Sequence, residues 1–277
     1  MALRDYLNEQ LLGIVASYQS TGVVHHIGVV YPKRNNQLQI FIPRGHALAL
    51  GSLVTVHLDN RTGIDELDAE LRVYRTSYKG RVLAAEDNWV LLEPLEYALI
   101  HGVKVVDGFT APGYAFPADS RPERALPLSP LHSIPPVEPK DNDNKVGVLT
   151  TLAQGQPHTT VLAFLSTAQD DVFLISMPDS FKVQQLRRDP RCFFTIDERA
   201  KFTFEQSIEW NYTIMEMQAH QVPASCPLFE QVRRSFILKN PWEVGFFLSP
   251  VLEMFHLQRV SLVCSGQAVA RQQGESR

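Results

Sequence analysis

Residues 180–197 read SFKVQQLRRDPRCFFTID, a serine and a lysine two apart, then a short basic run that stops at proline. The spacing predicts a helix start. Asp179 or Ser180 fits the N-cap position, Val183 and Leu186 share one face, and Gln184, Arg187 and Arg188 turn outward until Pro190 ends the run. The first turn of a helix carries partial positive charge, worth about 0.3–1 kcal/mol per anion contact at an exposed surface. The Ser180 hydroxyl and the Lys182 ammonium add direct donors, and a hydrogen bond to a charged group contributes roughly 1.5–3 kcal/mol. Together they form the chemistry of a phosphate site. The plain alternative is a capped helix whose lysine is merely solvated.

Other constellations are weaker. His25 and His26 are adjacent on a strand-like run and so point to opposite faces, and with His46 and His57 they lack a carboxylate or thiol at ligand spacing, so no metal site is expected. No Ser-His-Asp order or G-x-S-x-G elbow is present, and no catalytic acid, base or nucleophile is assigned. Met254 and His256 in LEMFHLQ offer haem-ligand chemistry, although a Met and a His among aromatics are commonly core residues.

These residues need elements to position them. Residues 20–110 break into short runs, VVHHIGVVY, QLQIFIP, SLVTVHL, ELRVYRTS and NWVLLEPL, separated by Gly, Asn, Asp or Pro, the pattern of a small antiparallel barrel or sandwich. Ahead of them, Leu3, Leu7, Leu11, Ile14 and Tyr18 recur at amphipathic spacing, which predicts a short N-terminal helix. Eight of the 18 prolines fall between Pro112 and Pro139, and this density excludes regular helix or sheet there. The segment 112–144 is read as an extended interdomain strap with Leu126, Leu128 and Ile134 as anchors, or as a disordered linker. Beyond it come KVGVLTTLA, TTVLAFLST, DVFLISM, RCFFTID and IEWNYTIMEMQAHQV, then a helix over 227–239 and a last strand in RVSLVCSGQAVA. The expected fold class is mainly β with minor α: a β-rich N-terminal domain over 1–111, the strap over 112–144, and a barrel domain over 145–277.

Composition bounds the function. A chain of 277 residues with 44% apolar and 20% charged residues is ordinary for a soluble globular protein. A net charge of −4 argues against a general nucleic-acid binder, leaving 180–191 as the best place for a basic patch. The three cysteines share no C-x-x-C spacing and read as free thiols of a reducing compartment. No apolar run is long enough to span a bilayer, so a cytoplasmic protein without membrane partners is expected.

The run QPHTTVLAFLSTAQDDVFLISMPDSFKVQQLRRDPRCFFTID (156–197) resembles the core of the FMN-binding split-barrel family, relatives of pyridoxamine 5′-phosphate oxidase. The matching pieces are Gln156-Pro157, Ser180-x-Lys182, Leu186, Asp189-Pro190-Arg191 and the strand 192–197, within a resemblance spanning about residues 145–270. It implies a split barrel that holds FMN at a homodimer interface and acts as an oxidoreductase on a small-molecule redox substrate. Thr159, Thr160 and Val161 match the strand beside the flavin, Ser176 a position that touches the cofactor, and Ser180 and Lys182 the phosphate binders. The chain departs from the oxidase at Thr160, where the oxidase has an arginine, and at Leu165, where it has a lysine. The oxidase's C-terminal Arg-x-His motif has no counterpart. A non-enzymatic ligand-binding or regulatory protein on the same barrel, with haem or no cofactor, is the second class left open.

Overall fold

A computed structural model of the chain describes residues 2–20, 22–61, 73–142, 144–197 and 212–265. Arg72, Trp210, Asn211 and the tail from Gly266 fall outside the described residues. The described residues form two compact units, the first within 1–61, 73–120 and 153–160, the second within 121–152 and 161–265.

In the first unit, β1 (Leu11–Gln19), β2 (Gly22–Pro32), β3 (Leu38–Phe41), β4 (Leu53–Asp59), β5 (Tyr74–Glu86), β6 (Trp89–His101) and β7 (Lys104–Thr110) form one antiparallel sheet. Its order is β3-β2-β1-β4-β5-β6-β7, and a β3–β6 pairing closes the first six strands into a barrel. Alternation explains the core. Val54, Val56 and Leu58 of β4 point inward with Leu11, Val15, Val30, Ile40, Tyr78, Val82 and Leu92, while Thr55, His57 and Asp59 take the other face.

The expected N-terminal helix is corrected. A single 3-10 turn covers Leu3–Asp5, and the rest of the periodic segment is β1. Leu3, Leu7 and Leu11 are buried in the barrel core, as a plug and a strand. Gly13 suits the strand's close packing. It pairs with Gly28 across β1 and β2, and a Cβ there would lie 2.5 Å from Val30 Cγ2, so bare backbone lets the barrel close.

In the second unit, β8 (Val146–Thr151), β9 (His158–Ala163), β10 (Leu165–Ser166), β11 (Val172–Ser176), β12 (Arg191–Asp197), β13 (Tyr212–Val222) and β14 (Glu253–Ser265) follow the order β10-β11-β14-β13-β12-β8-β9, an open, split barrel. Residues 158–160 of β9 are grouped with the first unit. Helix α1 (Phe181–Arg188) puts Val183 and Leu186 into the concave core with Leu149, Val172, Leu174, Phe194, Met217 and Phe255. Helix α2 (Pro227–Lys239) covers the opposite face with Leu228, Val232 and Phe236 against Phe173, Ile175 and Met254. The proline-rich residues 121–138 run extended along this unit and end in a 3-10 turn at Pro139–Asp141. Gln221 donates to the Pro127 carbonyl and accepts from Ser129 N–H, and Glu138 N–H donates to Ser166. Leu126 and Ile134 pack on its cores, while Leu128 is exposed. The molecule is mainly β, a small closed barrel joined to a split barrel.

Candidate functional site

Strand β11 ends at Ser176, and the turn Met177–Asp179 delivers Ser180 to the N-cap of α1. Its backbone is extended (φ −68°, ψ 145°), and its carbonyl accepts from Val183 and Gln184 N–H. The expectation that a serine or aspartate side chain caps the helix is corrected: Ser180 Oγ makes no cap bond and instead lies 2.9 Å from Ser176 Oγ. Two hydroxyls that the sequence separates by four residues therefore converge at the helix start.

The cations of this stretch divide sharply. Arg187 grips Glu253 with two bonds of 2.7 and 2.9 Å, Arg188 meets Glu123 at 2.8 Å, and Arg191 meets Asp189 at 2.8 and 3.0 Å. Burial alone would raise the Asp189 pKa, but hydrogen bonds from Arg191 and the charges of Arg191 and Arg121 bring it below the usual carboxylate range. Lys182 differs. It is half-buried, and among the described residues its ammonium meets no carboxylate and no hydrogen-bond acceptor. Burial alone lowers its pKa, with no opposing charge. A desolvated cation without a partner, two residues along α1 from paired hydroxyls at the helix N-terminus, is an arrangement that an anion completes.

Of the predicted residues, Ser176, Ser180 and Lys182 are brought to this corner of the second unit. Val161, half-buried on β9, belongs to the same unit; Thr159 and Thr160 are grouped with the first. Thr159 is buried, its Oγ1 2.8 Å from Ser77 Oγ and its N–H donating to the same oxygen at 3.3 Å. Leu165 is fully buried in the core under α2, which accounts for an apolar residue where the oxidase carries lysine. Met254 and His256 are core residues: Met254 packs there, and both His256 ring nitrogens are engaged, Nδ1 with Ser129 Oγ and Nε2 with Asp171, each at 2.9 Å. A cavity of about 500 Å³ lies at the other end of α1, between Arg124 and Leu126 of the extended segment and the Arg187–Glu253 pair.

Sequence reasoning missed Lys79. On β5 of the first unit it is buried, with Nζ 2.8 Å from Ser77 Oγ and 3.2 Å from His158 Nδ1. The readable hint is the alternation Ser77-x-Lys79 opposite Thr55-x-His57, a polar stripe whose burial a single strand does not announce. Among the described residues no three His, Cys, Asp or Glu are placed to hold a metal ion, and no helix is long and apolar enough to cross a membrane.

No family model matches the chain, and no curated protein matches its sequence. Solved structures with partial similarity include the haem storage protein HutZ from Vibrio cholerae, at 19% identity over 46% of this chain and 92% of that one, with a TM-score of 0.38. An FAD-binding protein from Mesorhizobium loti matches at 19% identity over 43% of this chain and 83% of its own, with a TM-score of 0.36. A haem-binding protein from Mycobacterium smegmatis matches at 14% identity over 46% and 55%, with a TM-score of 0.36. Similarity this slight assigns no ligand to the present chain.

Proposed function

We propose that the split barrel binds FMN, with the phosphate at the Ser176–Ser180–Lys182 corner and the flavin beside Val161 of β9. The observation that carries the reading is Lys182, the cation of the 180–191 stretch that meets no carboxylate among the described residues while its three arginine neighbours are each paired. The residues present fit a phosphate. The serine pair can offer a hydroxyl donor, the ammonium supplies the charge, and the first turn of α1 supplies the dipole. Bound FMN would supply electron or hydride transfer to a small redox substrate, and the barrel's part would be binding, orientation and electrostatics. The reading includes a homodimer. Among the described residues β14 pairs with β11 only as far as Leu257, and beyond it Val260, Leu262 and Val263 are exposed.

Fluorescence titration with FMN and riboflavin tests the assignment. Lys182→Ala is expected to weaken FMN binding by about tenfold or more, the loss of one charged hydrogen bond, and to leave riboflavin binding nearly unchanged. Equal losses for both ligands, or a wild-type protein that ignores FMN, would overturn it.

A further inference from the structure

We propose that Lys79 is a proton-responsive clasp on the 153–157 turn and the first residues of β9, fixing where β9 begins within the first unit. The clasp does not rest on the FMN reading.

The clasp lies within the first unit. Lys79 Nζ reaches Ser77 Oγ at 2.8 Å, His158 Nδ1 at 3.2 Å, Thr55 Oγ1 at 3.3 Å and the Pro157 carbonyl at 3.4 Å. The Phe116 ring lies 5.1 Å from the ammonium. Thr55 gives its own proton to the Pro157 carbonyl, and Ser77 Oγ takes the Thr159 N–H, so both face Lys79 as acceptors. Lys79 is thus the donor hub that ties Pro157 of the turn and His158 of β9 to β4 and β5. The turn has further anchors in Tyr18, which donates to the Ala153 carbonyl, and in Gln156, which donates to the Val54 carbonyl and accepts from Tyr114.

The titratable groups facing the hub are Glu96, its cross-strand neighbour on β6, and His158 at the start of β9; one step along β4, His57 is held by Asp59. Burial brings the Lys79 pKa down to about 7, against the pull of Glu96 in the other direction. A lysine freed by opening of the turn would return toward its ordinary value of 10.5. Opening therefore takes up a proton between pH 7 and 10.5. Raising the pH through that window favours the closed turn by up to about tenfold per unit, and below 7, where both states are protonated, the preference levels off.

Amide hydrogen exchange on the full-length protein tests this. Protection of residues 154–160, corrected for intrinsic rates, is expected to rise up to about tenfold per unit between pH 7 and 9, and to lose that slope in Lys79→Met. Direct NMR titration of the wild-type Lys79 side chain should show a midpoint near 7, which decides the matter even if the variant fails to fold. A midpoint near 10.5, or a slope that survives Lys79→Met, would overturn the clasp. Absent FMN binding with the exchange slope intact would sink the flavin reading and leave the clasp standing.

Discussion

Cys192 shows how burial decides reactivity one side chain at a time. Its thiol is fully enclosed in the concave core with Phe194 and Met217, and burial, with a smaller push from Asp189, drives its pKa above the usual thiol range. Iodoacetamide at pH 8 is therefore expected to leave Cys192 unmodified in the native protein and to label it in urea, read by peptide mass spectrometry; equal labelling in both conditions would contradict the packing. The Ser180–Lys182 corner was legible to the same depth. Spacing identified the helix start, Ser180 and Lys182, because capping and charge are local properties. It could not show that Arg187 and Arg188 are neutralised, since their partners Glu253 and Glu123 lie 66 and 65 positions away in the chain. Nor could it place Lys79, whose nest draws on residues 55, 77 and 157–158.

Asp189 fastens one element to another. Its carboxylate holds Arg191 on β12 and Arg121 at the start of the extended segment, while Arg121 also donates to the Leu152 carbonyl and Arg188 donates to the Arg121 carbonyl. Three residues on, Arg124 N–H donates to the Arg187 carbonyl. Asp189→Asn keeps the shape but removes the charge that two guanidiniums share, at a cost of about 1–3 kcal/mol. Trypsin cleavage after Arg124 is expected to quicken several-fold in the variant, because the segment must leave the barrel to enter a protease; an unchanged rate would show that the carboxylate does not hold it. At this scale, strands bounded by turn residues were legible, as were α1 and α2. Strand β1 was not. Both of its faces are largely buried, so Leu11, Ile14 and Tyr18, three and four apart, imitate a helix. Strand β7 was also missed, because its exposed residues carry little alternation.

For the whole molecule, the pH profile of stability is written largely by the first unit. Burial lowers His25 to about 3 and His26 to about 4 from an ordinary 6.5, with each further depressed by a histidine neighbour. As pH falls below 6.5 the unfolded chain takes protons that the barrel refuses, so stability is lost. Two such groups over two pH units forfeit roughly 5 kcal/mol, comparable with the whole stability of many domains. Glu243 works the other way: burial raises it to about 7, so its contribution is present below 4.5 and lost as pH rises through 7. Above 7, Lys79, with Lys182 in the same sense, adds stability as the folded state sheds a proton that the unfolded chain keeps. Beyond 10 the sign reverses. Burial pushes Tyr97 and Tyr114 up to about 12 and Tyr78 higher still, so the unfolded chain ionises first. Thermal melts from pH 4 to 11 are therefore expected to climb from the acid side, level off between about 6.5 and 7, climb again to a maximum between pH 9 and 10, and then fall. Lys79→Met should remove most of the second climb. A profile that peaks below pH 7 in the wild type would mean that Lys79 stays charged in the folded barrel and that its nest compensates the burial in full.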